Sequence, residues 1–345
     1  MTSQRALIRM RTNKAVIKID LVAVRNLLQV SLALLLLYIG WRFYLFVQHF
    51  ATRGAAPYVE RPAAVEAFLP LSALVATKNW VVNGIFDTIH PAALVIFLTI
   101  LTVSIVFKKA FCSWLCPIGA LSEALSRLGR KLFGRNLRPP KYVDWPLMGI
   151  KYLILLFFVK AIVVDMPPVA IAAFVQSPYN KIVDVKMLEF FTGFGIGGAI
   201  VIGSLMILSA LVSNVWCRYL CPYGAMLGLL SYLSVFHVTR SPARCTDCKL
   251  CTKACPNRID VAVAHDVTSP ECSGCLSCVN ACPRAGALTL KAVGRWDVNP
   301  WLYPAIIVGV FIFAIVLAKL TGHWETSLTY ADYAKLIPMA SSLSH

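Results

Sequence analysis

Charge is scarce in this sequence. Only 14% of its 345 residues are Asp, Glu, Lys or Arg, against about a quarter in a soluble globular protein. Acidic residues are scarcest: 16 Asp and Glu stand against 33 Lys and Arg, a formal net charge of +17. With 58% hydrophobic residues and a mean hydropathy of +0.70, the composition excludes an ordinary soluble enzyme and points to an integral membrane protein. No glycine-rich phosphate loop and no hydrolase, kinase, nucleotide-binding or DNA-binding motif is found. A cleavable secretory signal is not read either. The apolar run behind Arg5, Arg9, Arg11, Lys14 and Lys18 continues through Trp41 and Phe43, longer than the roughly 7–15 residues of a signal core.

What is present is a set of long apolar runs. A helix needs about 20 apolar residues to cross a bilayer. Five spans are expected, near Leu21–Phe46, Pro91–Phe107, Pro146–Val164, Gly193–Val215 and Trp301–Ala318. A sixth run, Pro167–Val175, is too short to cross. Five spans put the N-terminus, residues 108–145 and residues 216–300 on one side. That side carries 24 of the 33 Lys and Arg, so the positive-inside rule makes it cytoplasmic. The basic excess is therefore read as topology and as contact with anionic lipid, not as nucleic-acid binding. Glycines 193, 195, 197, 198 and 203 in the fourth span suggest close helix packing.

Cysteine is the other informative residue. CTDCKLCTKACP (Cys245–Pro256) and CSGCLSCVNACP (Cys272–Pro283) each read C-x₂-C-x₂-C-x₃-C-P, the pattern of bacterial two-cluster ferredoxins. Four soft thiolates suit a cubane, one per iron. The known wiring of the pattern assigns the fourth cysteine of each run to the other cluster. That implies Cys245, Cys248, Cys251 and Cys282 for one [4Fe–4S] cluster, and Cys272, Cys275, Cys278 and Cys255 for the other. Zinc explains neither the third cysteine of each run nor the proline. Disulfides do not suit a reducing compartment. RIDVAVAHDV and GALTL are read as the module's short strands, and Lys249, Lys253, Arg258 and Arg284 lie among the ligands.

The remaining four of the 12 cysteines form a repeat. FCSWLCPIGAL (Phe111–Leu121) and WCRYLCPYGAM (Trp216–Met226) each follow an apolar run. Proline suits a first helical turn, whose free donors favour an anion, and a cysteine there tends to be acidic. One pair, Cys112 with Cys116 or Cys217 with Cys221, is too few for a cubane; two pairs brought together are enough. Three readings stay open: a third cluster, a redox dithiol or transient metal site, and simple packing of cysteine as a small hydrophobe.

With both CxxxCP stretches and the paired ferredoxin motifs, the chain resembles the polyferredoxin-like membrane proteins that include NapH, the membrane part of NosR, and CcoG. The expected fold class is thus a polytopic α-helical membrane protein with about five transmembrane helices and a cytoplasmic α+β insert like a bacterial two-cluster ferredoxin. The expected organisation is a membrane domain over 1–239, the dicluster domain over 240–295, and a last span with a short extracytoplasmic tail over 296–345. The resemblance implies an iron–sulfur electron-transport protein of the bacterial inner membrane. Electrons would pass between a quinone pool or cytoplasmic donor and a respiratory or extracytoplasmic redox partner, a protein or respiratory complex. The alternative is a maturation factor that reduces metal or thiols for a metalloenzyme or cytochrome oxidase. Within the group, NapH is associated with quinol oxidation, NosR carries an extra flavin domain and CcoG a further C-terminal domain. The sequence shows room for neither addition, and the subgroup stays open.

Other residues carry less. His49, His90 and His323 fall on the extracytoplasmic side and would matter to a cofactor or quinone only if they converge. Asp165 and Glu189 are expected at span boundaries, and Lys151 and Lys160 as snorkelling side chains. Residues 56–80, with Arg61 and Glu66, read as an amphipathic surface helix.

Overall fold

The computed structural model describes residues 20–193, 195–293 and 296–343; the basic residues from Arg5 to Lys18 lie outside them. Among the described residues three helices are long and apolar enough to cross a membrane: Leu21–Ala51, Lys141–Val164 and Leu302–Leu320. A bent pair, Val183–Thr192 and Ile196–Leu211 at 81°, raises the number to four if counted as one span. The expectation of five spans is corrected accordingly. Pro91–Phe107 is apolar but has 17 residues, about 25 Å of helix, short of the roughly 30 Å hydrocarbon layer. Three glycines of the fourth run make no close helix contact among the described residues. Nothing lies within 4 Å of where a Cβ would stand at Gly195, Gly197 or Gly203.

The chain divides into two compact units. One comprises the described residues up to Leu32 with Leu101–Ile154 and Ser204–Val310; the other comprises Ala33–Ile100, Leu155–Gly203 and Phe311 onward. The second unit is built on aromatic packing. Phe43, Phe46 and Phe50 follow one another at helical spacing on one face and bury against Val65, Ile182, Val185 and Tyr333. Its short helix Pro168–Val175 buries Ile171 and Val175 against Val75 and Ile89. Residues 56–80 do not form the expected surface helix. They make a 3₁₀ turn, Ala63–Phe68, and a helix, Pro70–Asn83. Arg61 and Glu66 are buried, and Arg61 reaches Glu66 at 2.8 Å and Asp184 at 2.7 Å.

The first unit contains every cysteine. Its insert holds a three-stranded antiparallel sheet, β1 (Phe236–Arg240), β2 (Leu288–Ala292) and β3 (Trp296–Val298), in that order. Val238 lies opposite Leu290 in the register, and both are buried. GALTL supplies β2 as expected. RIDVAVAHDV is not a strand: it runs as turns that bury Val261, Ala262 and Val267, joined to β1 by a single bridge from Asp266 to Thr239. A left-handed residue at its start, Arg258 (φ 56°), is incompatible with extended pairing there. Phe107, Phe236 and Tyr303 pack ring against ring beneath the sheet. The Tyr303 hydroxyl donates to the Phe107 carbonyl.

Candidate cluster-binding sites

Each ferredoxin motif wraps by the same device. Asp247 and Lys249 in the first, Gly274 and Leu276 in the second, adopt positive φ between 52° and 58°. These left-handed residues curl the backbone so that the cysteines between and beside them face one centre. Gly274 is required twice, because a Cβ there would also stand 2.2 Å from the Tyr303 hydroxyl oxygen. Short helices, Leu250–Ala254 and Ser277–Ala281, then carry each fourth cysteine away from its own loop.

The cysteines gather around two small cavities of about 20 Å³. Cys245, Cys248, Cys251 and Cys282 line one, with Arg240, Lys249 and Arg284 at its edge. Cys255, Cys272, Cys275 and Cys278 line the other, among Val238, Ile259, Val261, Val267 and Leu276. Each cavity therefore draws three cysteines from one motif and the fourth from the other.

A third cavity, of about 170 Å³, is lined by Cys112, Cys116, Cys217 and Cys221 together with Lys109, Tyr223, Glu271 and Cys275. The two stretches 105 residues apart thus meet. Cys116 and Cys221 each occupy the N-cap of a helix whose first residue is Pro117 or Pro222. The Gly224 backbone N–H donates to Cys221 Sγ at 3.3 Å. In the other copy a Cβ on Gly119 would stand 2.2 Å from the Cys112 carbonyl oxygen, so the loop closes only around glycine. Ser113 donates to the Ser273 carbonyl at 2.7 Å, and Trp114 Nε1 to the Gly274 carbonyl at 3.1 Å. These bonds fix the first CxxxCP loop against the inner ferredoxin loop. Arg25 reaches the same loop through Ser277 Oγ, at 2.9 Å.

As bare thiols the four are not acidic, which corrects the expectation from the helix N-termini. Burial pushes Cys112, Cys217 and Cys221 up, and Cys116 up to about 11; Lys109 opposes the rise at Cys112, Cys217 and Cys221. Four half-buried thiols around one cavity crowd each other electrostatically, and ionising them together requires a cationic centre. Among the described residues no three His, Cys, Asp or Glu side chains are placed to share a single metal ion. A cubane asks for a wider set, because each thiolate bonds its own iron, and four thiols around one cavity fit that demand at all three places.

Lys151 is not a snorkelling side chain. It is fully buried and bonds Glu271 Oε1 at 2.6 Å, while Lys109 reaches Oε2 at 3.2 Å. Burial would raise the Glu271 carboxyl, but the two lysines outweigh it and hold it at about 2. Sequence reading passed over Glu271 and Lys109 entirely. Their signals were a lysine pair, Lys108 and Lys109, closing an apolar run and a glutamate directly before Cys272. Lys160 behaves as expected, exposed and paired with Asp165, and Glu189 pairs with Lys186 at 3.3 Å.

The three histidines do not converge. His49 contacts the Ala56 carbonyl and the Tyr330 hydroxyl, His90 contacts Glu66 and the Asn180 carbonyl, and His323 packs on Phe86.

Comparison with known proteins matches these sites. A family described as a 4Fe-4S binding domain matches residues 89–136 and 194–241, bracketing the two CxxxCP stretches. A 4Fe-4S dicluster domain matches residues 237–283. A candidate electron transport protein of Escherichia coli K12, YccM, is 39% identical over 327 residues, covering 93% of this chain and 91% of that protein. The regulatory protein NosR of Pseudomonas aeruginosa is 31% identical over 43% of this chain and 20% of its own length. The ferredoxin-type protein NapH of E. coli K12 is 24% identical over 48% of this chain and 56% of its own. No solved structure matches.

Proposed function

The chain belongs to the family of membrane 4Fe-4S electron-transport proteins that includes YccM, NosR, NirI and NapH, and on that premise we propose that it carries three four-iron sites in series. It is a multi-pass inner-membrane protein with an electron-transfer role, and its dicluster module holds two [4Fe–4S] clusters. The finer reading assigns ligands. Cys245, Cys248, Cys251 and Cys282 hold the outer cluster. Cys272, Cys275, Cys278 and Cys255 hold the inner one. Cys112, Cys116, Cys217 and Cys221 hold a third.

One observation carries the series: Cys275 lines both the inner ferredoxin cavity and the four-cysteine cavity. A ligand shared between two linings leaves little insulating protein between neighbouring sites. Each cluster, when bound, supplies a one-electron couple. The protein's part is to hold thiolates at fixed spacing, to exclude water with Val261, Leu276 and Trp114, and to offset negative charge with Lys109 and Lys151. The basic excess on the segments that carry all twelve cysteines supports a cytoplasmic position for the module. The family resemblance supports the quinone pool or a respiratory redox protein as the partner at the other end.

The test is iron and acid-labile sulfide per chain after anaerobic purification. The unaltered protein is expected to hold about twelve iron atoms. A variant with Cys112, Cys116, Cys217 and Cys221 changed to Ser should hold about eight. About eight in both would leave the ferredoxin pair alone and remove the third site.

A further inference from the structure

The two halves of the ferredoxin module are copies, and they differ where they face outward. Aligned cysteine on cysteine, Lys249 stands where the inner half has Leu276, Lys253 where it has Asn280, and Arg284 where it has Asn257. The inner residues are engaged. Leu276 is 1% exposed, and Asn257 donates to the Glu271 carbonyl at 2.8 Å and to Ser273 Oγ at 3.0 Å. The outer residues are not. Lys249, Lys253 and Arg284 are exposed, as are Arg244 and the ligand Cys248. Among the described residues no carboxylate stands within ion-pair distance of Lys249, Lys253, Arg244 or Arg284. The nearby carboxylates are taken: Asp247 by Arg240 at 3.8 Å and Asp260 by Thr252 at 3.0 Å.

We infer that this face is the docking port for an acidic, soluble protein carrying a one-electron centre, which exchanges electrons with the outer cluster at Cys248. The inference rests on the cluster assignment above. An exposed thiolate edge gives a partner close approach to the outer cluster, whereas the inner cavity is closed by apolar side chains. The outer cavity, at about 20 Å³, has room for no small redox cofactor beside a cluster, so the port is a surface for another macromolecule. Unpaired cations of one sign around that edge attract an acidic partner and orient its encounter. In the exchange the partner's reduced centre loses one electron and the outer cluster gains it, with no bond made or broken; the reverse direction uses the same contact.

The experiment uses the full chain, loaded with clusters, in neutral-lipid nanodiscs. A reduced acidic [2Fe–2S] ferredoxin is the probe, and bleaching of the four-iron absorbance is followed by stopped flow. The expected second-order rate falls at least about tenfold between low and high salt, as steered encounters do. Lys253→Glu with Arg244→Glu, two exposed residues outside the cluster cavity lining, should lower it about as much at low salt, while reduction by the reduced methyl viologen radical cation is not slowed. A rate on the unaltered protein that ignores salt overturns the port without any variant. So does its suppression when anionic lipid is added to the discs, because the face would then be a lipid contact. Iron per chain on the same samples separates the two proposals. Missing iron removes the cluster reading and the port with it; full iron with a salt-indifferent rate removes the port alone.

Discussion

Asp144 and Lys151 are buried charges, and each is held in an ion pair. Asp144 accepts from Arg218 through both carboxylate oxygens and from the Tyr219 hydroxyl. Asp144→Asn should cost on the order of 3 kcal/mol, because Arg218 is left buried without its counter-charge; thermal unfolding measures the loss. Lys151→Met should cost less, about 1.5–3 kcal/mol for one charge-assisted hydrogen bond, since Glu271 would keep Lys109. No change in melting temperature at neutral pH would mean that water replaces the ammonium. A lone lysine in an apolar run reads in sequence as a helix-end side chain. Its true partner, Glu271, is 120 residues away, and nothing local announces it.

At the scale of elements, the repeated CxxxCP stretch was the most legible feature, and its meaning the least. Spacing and proline foretell a cysteine at each helix start, and both N-caps are there. That the two starts share one cavity depends on packing between residues 105 apart, which no local pattern encodes. The apolar runs were legible as helices, and three of the five expected spans are long and apolar enough to cross, four if the bent pair is one span. Composition does not report that one helix stops at 17 residues or that a pair is bent by 81°. Two substitutions test the loop as a unit. Gly119→Ala drives a Cβ to 2.2 Å from the Cys112 carbonyl, so the loop has to open. Iron should fall by about four atoms per chain while the ferredoxin pair's spectrum persists. Trp114→Ala removes a fully buried ring and its bond to the Gly274 carbonyl. A loss of about 3–5 kcal/mol is expected, and an unchanged melting temperature would mean that the two loops are not held by this contact.

Across the whole molecule, stability has two sources. The helices satisfy their own backbone groups and persist wherever lipid or detergent covers them. The insert does not share that independence. Its sheet has strands of five, five and three residues, and its core rests on Val238, Val261, Val267, Leu276 and Leu290. A segment of roughly 55 residues buries too little surface to fold strongly alone. With the ligands proposed above, Cys255 and Cys282 would make each cluster a bridge between the two motifs, and ligand binding to the folded form adds directly to stability. Oxidative removal of iron with a chelator should therefore unfold the insert and spare the spans. Limited proteolysis would cut within 240–295 first, with most far-UV helical signal retained. The contrary result, an iron-free insert that resists protease, would shift the credit to its contacts with Trp114, Arg25 and Tyr303. The module would then be a domain held in place by the membrane core, with its clusters serving electron transfer alone.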